Sequence, residues 1–195
     1  MKTAAIIAVA GLASVATAQS ATVFLQHDDA DSTINVGETV TWTLSVAFTG
    51  GEVVSGVNMA INGDNTLGTS SGMAYTATNG GNNGGTSNGA GIGFVNLTNS
   101  LFIEAFQGIL ALRDNPLVIG TFDFTAGAEG TLNYTIAKGQ SSSAFVSVAQ
   151  SAFAETLFAN PGDVAIEIQS LTIVPTPASA ALLGLGGLVA TRRRR

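Results

Sequence analysis

Two stretches of this sequence have the spacing of a nucleophile elbow, Gly68-Thr69-Ser70-Ser71-Gly72 and Gly85-Thr86-Ser87-Asn88-Gly89. An elbow lifts its serine on a sharp turn between a core strand and a helix, and an imidazole must take the proton. The second stretch lies in a run of Gly and Asn with neither a core strand before it nor a helix after it, and the chain's one histidine is His27. Chance accounts for such matches in a chain with 24 glycines. Glycoside hydrolysis would need two carboxylates facing one cleft, and Glu104 and Asp123 are the acids on expected strands. Alternation turns both toward solvent, Asp123 between Phe122 and Phe124 and Glu104 between Ile103 and Ala105. One Trp and two Tyr supply few aromatic platforms for a sugar cleft. We expect no catalytic activity.

Metal chemistry divides by ligand type. One His and no Cys cannot complete a tetrahedral shell for a transition metal. Hard oxygens are better represented: Asp28, Asp29 and Asp31, with Ser32 and Thr33, sit close together, and Asp64 with Asn62 and Asn65 forms a weaker group. Calcium is the ion such oxygens would suit, although the spacing is not that of an EF-hand. The same residue types are ordinary turn formers, so a solvated turn is the competing reading.

Charge narrows the partners. Of 7 Lys+Arg, Lys2 and Arg192 to Arg195 lie at the ends, which leaves Arg113 and Lys138 against 13 acids, a charge of −11 between residues 19 and 173. Nothing there could neutralise phosphates, so nucleic acid is excluded as a partner. Neutral glycans, divalent cations and other matrix components remain. Without cysteine the fold has no disulfides and must be held by a hydrophobic core.

The elements that would position these residues read as strands. Val40, Trp42, Leu44, Val46 and Phe48 alternate with Thr39, Thr41, Thr43, Ser45 and Ala47, which predicts one face in the core and one wetter face. Trp42 belongs to the core face. A first strand is expected over 22–26, and 53–61 is expected to return from 39–48 as its hairpin partner after Gly50-Gly51. Residues 78–91, almost all Gly, Asn, Ser and Thr, are expected to form a long flexible surface loop. Further strands are expected at 73–77, 92–97, 101–106, 109–112, 117–125, 131–136, 144–149, 152–158 and 164–174, with a helical turn possible only within 101–112. Many short strands with turn signals and no long helical period predict an all-β fold, a single antiparallel β-sandwich of jelly-roll or Ig-like type.

Both ends carry addresses. Lys2, the apolar run 4–16 and Ala16-Thr17-Ala18 ahead of Gln19 have the form of a signal peptide over residues 1–18, cut between Ala18 and Gln19. At the other end, Val174-Pro175-Thr176-Pro177 is extended and non-helical because proline fixes φ and restricts the residue before it. Residues 178–190 are Ala, Leu, Val and Gly apart from Ser179, a helical length of roughly 20 Å, short of a comfortable bilayer span. Arg192, Arg193, Arg194 and Arg195 then form a cytoplasmic membrane stop.

In that order, Pro175-x-Pro177, the apolar run and the arginine block resemble the PEP-CTERM sorting signal of bacterial exosortase substrates, with Thr176 where that family usually has Glu. The resemblance covers residues 174–195 and implies export, transient membrane retention, processing near the Pro-x-Pro pair by an exosortase-type enzyme, and delivery to the cell surface or extracellular matrix. Between the two signals, residues 19–173 are expected to form one ectodomain. Its Gly37-Glu38-Thr39-Val40 turn into a long strand, and the late strand Gly120-Thr121-Phe122-Asp123-Phe124 before an Ala/Gly turn, resemble cohesin-type and related Ig-like adhesion domains. The expected role is structural or adhesive, with exopolysaccharide or other matrix components as partners. The reading from another class is a secreted glycan-binding module or small carbohydrate-active enzyme.

Overall fold

The computed structural model describes residues 19–51, 53–76, 81–98, 114–139, 144–151 and 154–176. Within them the chain is built from sixteen strands and one turn of 3-10 helix, Pro161–Asp163. One sheet has the order β15 (Ala165–Ile168), β1 (Ser20–His27), β3 (Thr39–Thr49), β10 (Leu117–Ala126), β5 (Gly68–Ser70), with β6 (Ala74–Tyr75) also on β10. The opposing sheet runs β14 (Ala154–Phe158), β13 (Val146–Ser151), β4 (Val53–Asn62), β9 (Gly91–Thr98), β7 (Gly81–Gly84). In it β12 (Thr135–Lys138) also pairs with β4, and β8 (Ser87–Asn88) with β9. A small third sheet joins β11 (Gly130–Leu132), β16 (Leu171–Val174) and β2 (Thr33–Asn35). This is the expected β-sandwich.

Its core follows from the alternation. Val40, Trp42, Leu44, Val46 and Phe48 are buried from β3, and Val23 and Leu25 from β1. Val57, Met59, Ile61, Ile92, Val95 and Leu97 come from the other sheet. In β10 Ile119 is the extra residue of a bulge between Val118 and Gly120 that resets the period, so that Leu117 before it, Ile119 itself, and Phe122 and Phe124 after it are all buried. Trp42 stands at the centre, with the rings of His27 and Tyr134 edge-on to it, each 4.8 Å away between centroids.

Four expectations are corrected. First, β3 and β4 do not form a hairpin, because they lie in opposite sheets. The link through Gly50-Gly51 is an arch, which lets the apolar face of β3 meet Val57, Met59 and Ile61 across the core instead of lying beside them. Second, the Gly/Asn stretch is not a loop throughout: Gly81 to Gly84 and Ser87-Asn88 pair with β9. Main-chain bonding to a buried strand stabilises it without apolar side chains, and Gly84 and Gly85 make the turn at φ 86° and 78°, a region that favours glycine. Third, the single strands expected over 131–136 and 164–174 are each two strands in different sheets. They break at Asn133-Tyr134 and at Gln169-Ser170, where Gln169 N donates to Leu25 O and Gln169 Oε1 accepts from His27 N. Fourth, the pairing is not wholly antiparallel, since β15 runs parallel to β1 and β16 parallel to β2. The strands expected at 101–106 and 109–112 lie outside the described residues.

Candidate functional site

Each carboxylate of the first acidic turn is engaged by main chain. Asp28 Oδ1 accepts from Thr41 N at 3.0 Å, while Asp29 Oδ1 and Asp31 Oδ1 both accept from Thr33 N at 3.0 and 3.1 Å. The Thr33 amide is the main reason that Asp29 is held below the usual carboxylate range. Asp64 is lowered in the same manner by the hydroxyl and amide of Thr66, and Asn65 Oδ1 accepts from Ala90 N. These are turn-capping bonds. No group of three or more His, Cys, Asp or Glu among the described residues could hold a metal ion.

The two elbow-like serines face one another on neighbouring short strands, Ser70 Oγ lying 3.3 Å from Ser87 Oγ. Ser70 Oγ donates to the carbonyls of Gly91 and Gly89, so it ties β5 to the strand beside it. β5 runs along β10 and continues into Ser71 to Met73 without a helix. His27 is buried against Trp42, with Nε2 3.3 Å from Ser170 O. Asp123 is exposed and accepts from Thr41 Oγ1 at 2.9 Å. Glu104 lies outside the described residues.

The described ends of the domain are tied down. Gln19 Nε2 donates to Gly50 O at 2.9 Å just before β1 begins. Val174 is the last residue of β16, where its carbonyl accepts from Val36 N at 3.0 Å; it is strand and not linker. Pro175 follows it, exposed. Ala16, Ala18, Pro177 and Arg192 to Arg195 lie outside the described residues, and no helix among the described residues is long and apolar enough to cross a membrane.

Sequence reasoning identified a wetter face on β3 but did not see what joins it. The register sets Thr43 against Thr121, Thr41 against Asp123 and Thr39 against Thr125, and Thr125 in turn against Thr69 of β5. All of these side chains point away from the Trp42 face, because residues two apart on a strand share a side. Thr39, Thr69, Asp123 and Thr125 are exposed, and Thr41, Thr43 and Thr121 half-buried. The visible signal was the pair of alternating runs Thr39-Val40-Thr41-Trp42-Thr43 and Thr121-Phe122-Asp123-Phe124-Thr125.

No protein-family model and no curated protein matches the sequence. Solved structures match the fold. The seventh ScaB type I cohesin of Pseudobacteroides cellulosolvens is 15% identical, with a TM-score of 0.52 over 80% of this chain and 94% of that one. The second type II cohesin module of the ScaA scaffoldin of Acetivibrio cellulolyticus is 10% identical, at 0.51 over 81% and 98%. The cohesin–dockerin complex Coh-OlpA-Doc918 of Clostridium thermocellum also matches, 10% identical, at 0.51 over 80% and 99%. The fold is thus the β-sandwich of cohesin modules, and at these identities the likeness is one of fold.

Proposed function

We propose that this chain is an exported, non-enzymatic protein of the cell surface or extracellular matrix, whose cohesin-like sandwich is the delivered module. A signal peptide over residues 1–18 starts export, and residues 174–195 hold the chain at the membrane until an exosortase-type enzyme cuts near Pro175-Thr176-Pro177. The observation that carries this reading is the position of β16: the last strand closes at Val174, directly before the Pro-x-Pro pair, so a cut there would leave every described strand in place. A structural or adhesive role is supported by the fold, since a structure that shares it is of a cohesin bound to dockerin. The environments of Ser70 and His27 point the same way, as both side chains serve packing and main-chain bonding.

The test is fractionation of the producing cells with mass spectrometry of the mature termini, for the natural chain and for one with Arg192 to Arg195 replaced by alanine. The expected result is protein in the surface or matrix fraction that begins at Gln19 and ends close to Pro177, and uncut protein that the membrane no longer holds when the arginines are gone. Recovery from the cytosol with both ends intact would overturn the reading.

A further inference from the structure

The two lateral margins of the sandwich are finished differently. On the side of β5 and β6, main-chain bonds cross from one sheet to the other: Ser70 N donates to Gly89 O at 2.7 Å and Met73 N to Gly85 O at 2.6 Å. At the opposite margin β14 and β15 are each the last strand of a sheet, and among the described residues no strand pairs with the far side of either. The outward groups of β14 follow from the ladder behind it. Asn58 N donates to Phe145 O at 2.9 Å, which sets the carbonyls of Phe145 and Ser147 toward β4 and those of Val146 and Val148 toward their partners Phe158 and Thr156 on β14. Phe158 O in turn accepts from Phe145 N at 2.8 Å, so its main chain is turned inward. By alternation the N–H and C=O of Leu157 and Glu155 face out of the sheet.

The side chains along this edge narrow what could pair with it. Phe158 is buried, so Leu157 and Glu155 share the outer side of the sheet. Leu157 is 62% exposed, the one large hydrophobic side chain in that state among the described residues. Native sheets block an open apolar edge with lysine, proline or a covering element, and β14 contains neither lysine nor proline. Ser55 Oγ donates to Glu155 Oε1, which fixes that carboxylate on the outer side as well. Between Lys138 and Arg192 the chain has no Lys or Arg, while Glu155, Asp163 and Glu167 follow one another on β14, the 3-10 turn and β15. A second copy would bring the same acids to this margin, and a charge of −11 between residues 19 and 173 to an equal one, with no cation to offset them. Charge therefore favours a different chain, and a basic one.

We propose that β14 takes up an extended segment of another protein as an added strand, and that the segment carries an apolar residue followed two places on by lysine or arginine. The spacing comes from strand geometry. In antiparallel pairing the residue opposite Leu157 precedes by two the residue opposite Glu155, and both stand on the same outer side. Main-chain bonds at Leu157 and Glu155 supply the attachment, while the apolar pair and the charge select the sequence. This deepens the adhesive role proposed above and rests on it for where the partner is met.

The experiment is fluorescence anisotropy of short labelled peptides of threonine and valine, titrated with the protein as recovered from the producing cells. One peptide carries Leu-x-Lys at its centre and a second Leu-x-Glu. A third is the first with N-methyl groups along the edge that would pair with β14. The Leu-x-Lys peptide should bind about tenfold more tightly than the Leu-x-Glu one, and the methylated peptide should not bind. Two variants are compared, with thermal melting to check that each is folded. Leu157→Pro removes the outward N–H and the apolar side chain and leaves the bonds to β13 in place, and Leu157→Lys keeps the main chain but adds a charge that repels the lysine of the peptide. Each should weaken binding of the Leu-x-Lys peptide by about tenfold. Equal binding of the methylated peptide, unchanged binding in either folded variant, or no peptide bound at all would overturn the proposal. So would sedimentation showing a dimer of the natural protein that Leu157→Pro splits, which would give the edge to a second copy. Should both variants unfold, the methylated peptide on the natural protein still decides. The readout does not depend on the termini: protein recovered uncut from the cytosol would defeat the sorting reading and leave this result standing.

Discussion

The hydroxyl of Tyr134 donates to the carbonyl of Ala90 at 2.7 Å inside the protein, joining the segment that crosses from β11 to β12 to the turn before β9. The same ring is edge-on to Trp42 and to Phe122, so one side chain links that crossing to the centre of the core. Tyr134→Phe keeps both ring contacts and leaves a buried carbonyl short of its donor. It should cost about 1–2 kcal/mol in a urea titration. Burial pushes the phenol well above the ordinary tyrosine range. A group whose folded pKa is raised contributes its stabilisation in full below the unfolded value, about 10, and loses it as pH climbs toward the folded one. The natural protein should therefore lose stability between about pH 9 and pH 11 more steeply than the Phe variant. Equal slopes would show that Tyr134 is not the group that titrates.

Asn115 does the work of a missing strand residue. Its Oδ1 accepts from Phe48 N at 3.1 Å and its Nδ2 donates to Phe48 O at 2.7 Å, extending the β3 and β10 ladder one step past Val46 and Leu117. Asn115→Ala removes both bonds and should lower the unfolding free energy by about 1–2 kcal/mol. Asn115→Asp keeps the acceptor but sets a carboxylate oxygen against the Phe48 carbonyl, so it should be the more harmful of the two. The urea midpoints of the pair decide it, and an Asp variant as stable as the natural chain would mean that the Nδ2 bond contributes nothing.

What could be read from the sequence was set by local alternation. β3 and β10 were legible because each has one dry and one wet face, and Trp42 was correctly placed in the core by its neighbours. Partner choice was not legible. Nothing within β4 says that it sits opposite β3, since an arch and a hairpin follow the same Gly-Gly turn and differ only in which long-range contacts form. β7 and β8 were missed because Gly and Asn carry no pattern, and their stability comes from the main chain of β9. The parallel pairing of β15 with β1 joins residues far apart in the chain. The threonine face was half legible: its rows show in each strand, but only the register that sets Thr41 against Asp123 makes them a surface.

The first Gly-x-Ser-x-Gly stretch has a structural cause. A Cβ on Gly68 would stand 2.2 Å from the Thr125 carbonyl and 2.7 Å from the Phe124 ring, so β5 can approach β10 only with glycine there. Gly68→Ala forces the short strand away and should cost about 1–3 kcal/mol, as overpacking does. Gly162, in the 3-10 turn, has nothing within 4 Å of the same position, and Gly162→Ala should be neutral or stabilising by up to about 1 kcal/mol. Thermal midpoints of the two variants should move in opposite directions or differ clearly. Equal tolerance at both sites would show that β5 is free to shift.

The proposed cut at the Pro-x-Pro pair would release a folded module only if β16 is kept whole. β16 is bonded on both sides, to β11 and β2, and it buries Leu171 and Ile173. Each of those side chains contributes about 1.5–3 kcal/mol by burial, and together they are a large share of the 5–15 kcal/mol that holds a typical domain. A chain ending at Thr176 should melt at the same temperature as the full one, whereas a chain ending at Ser170 should be unfolded or degraded by a protease that the longer form resists. If the form ending at Thr176 also melts early, residues beyond the Pro-x-Pro pair stabilise the sandwich, and processing at that pair would deliver a weakened domain.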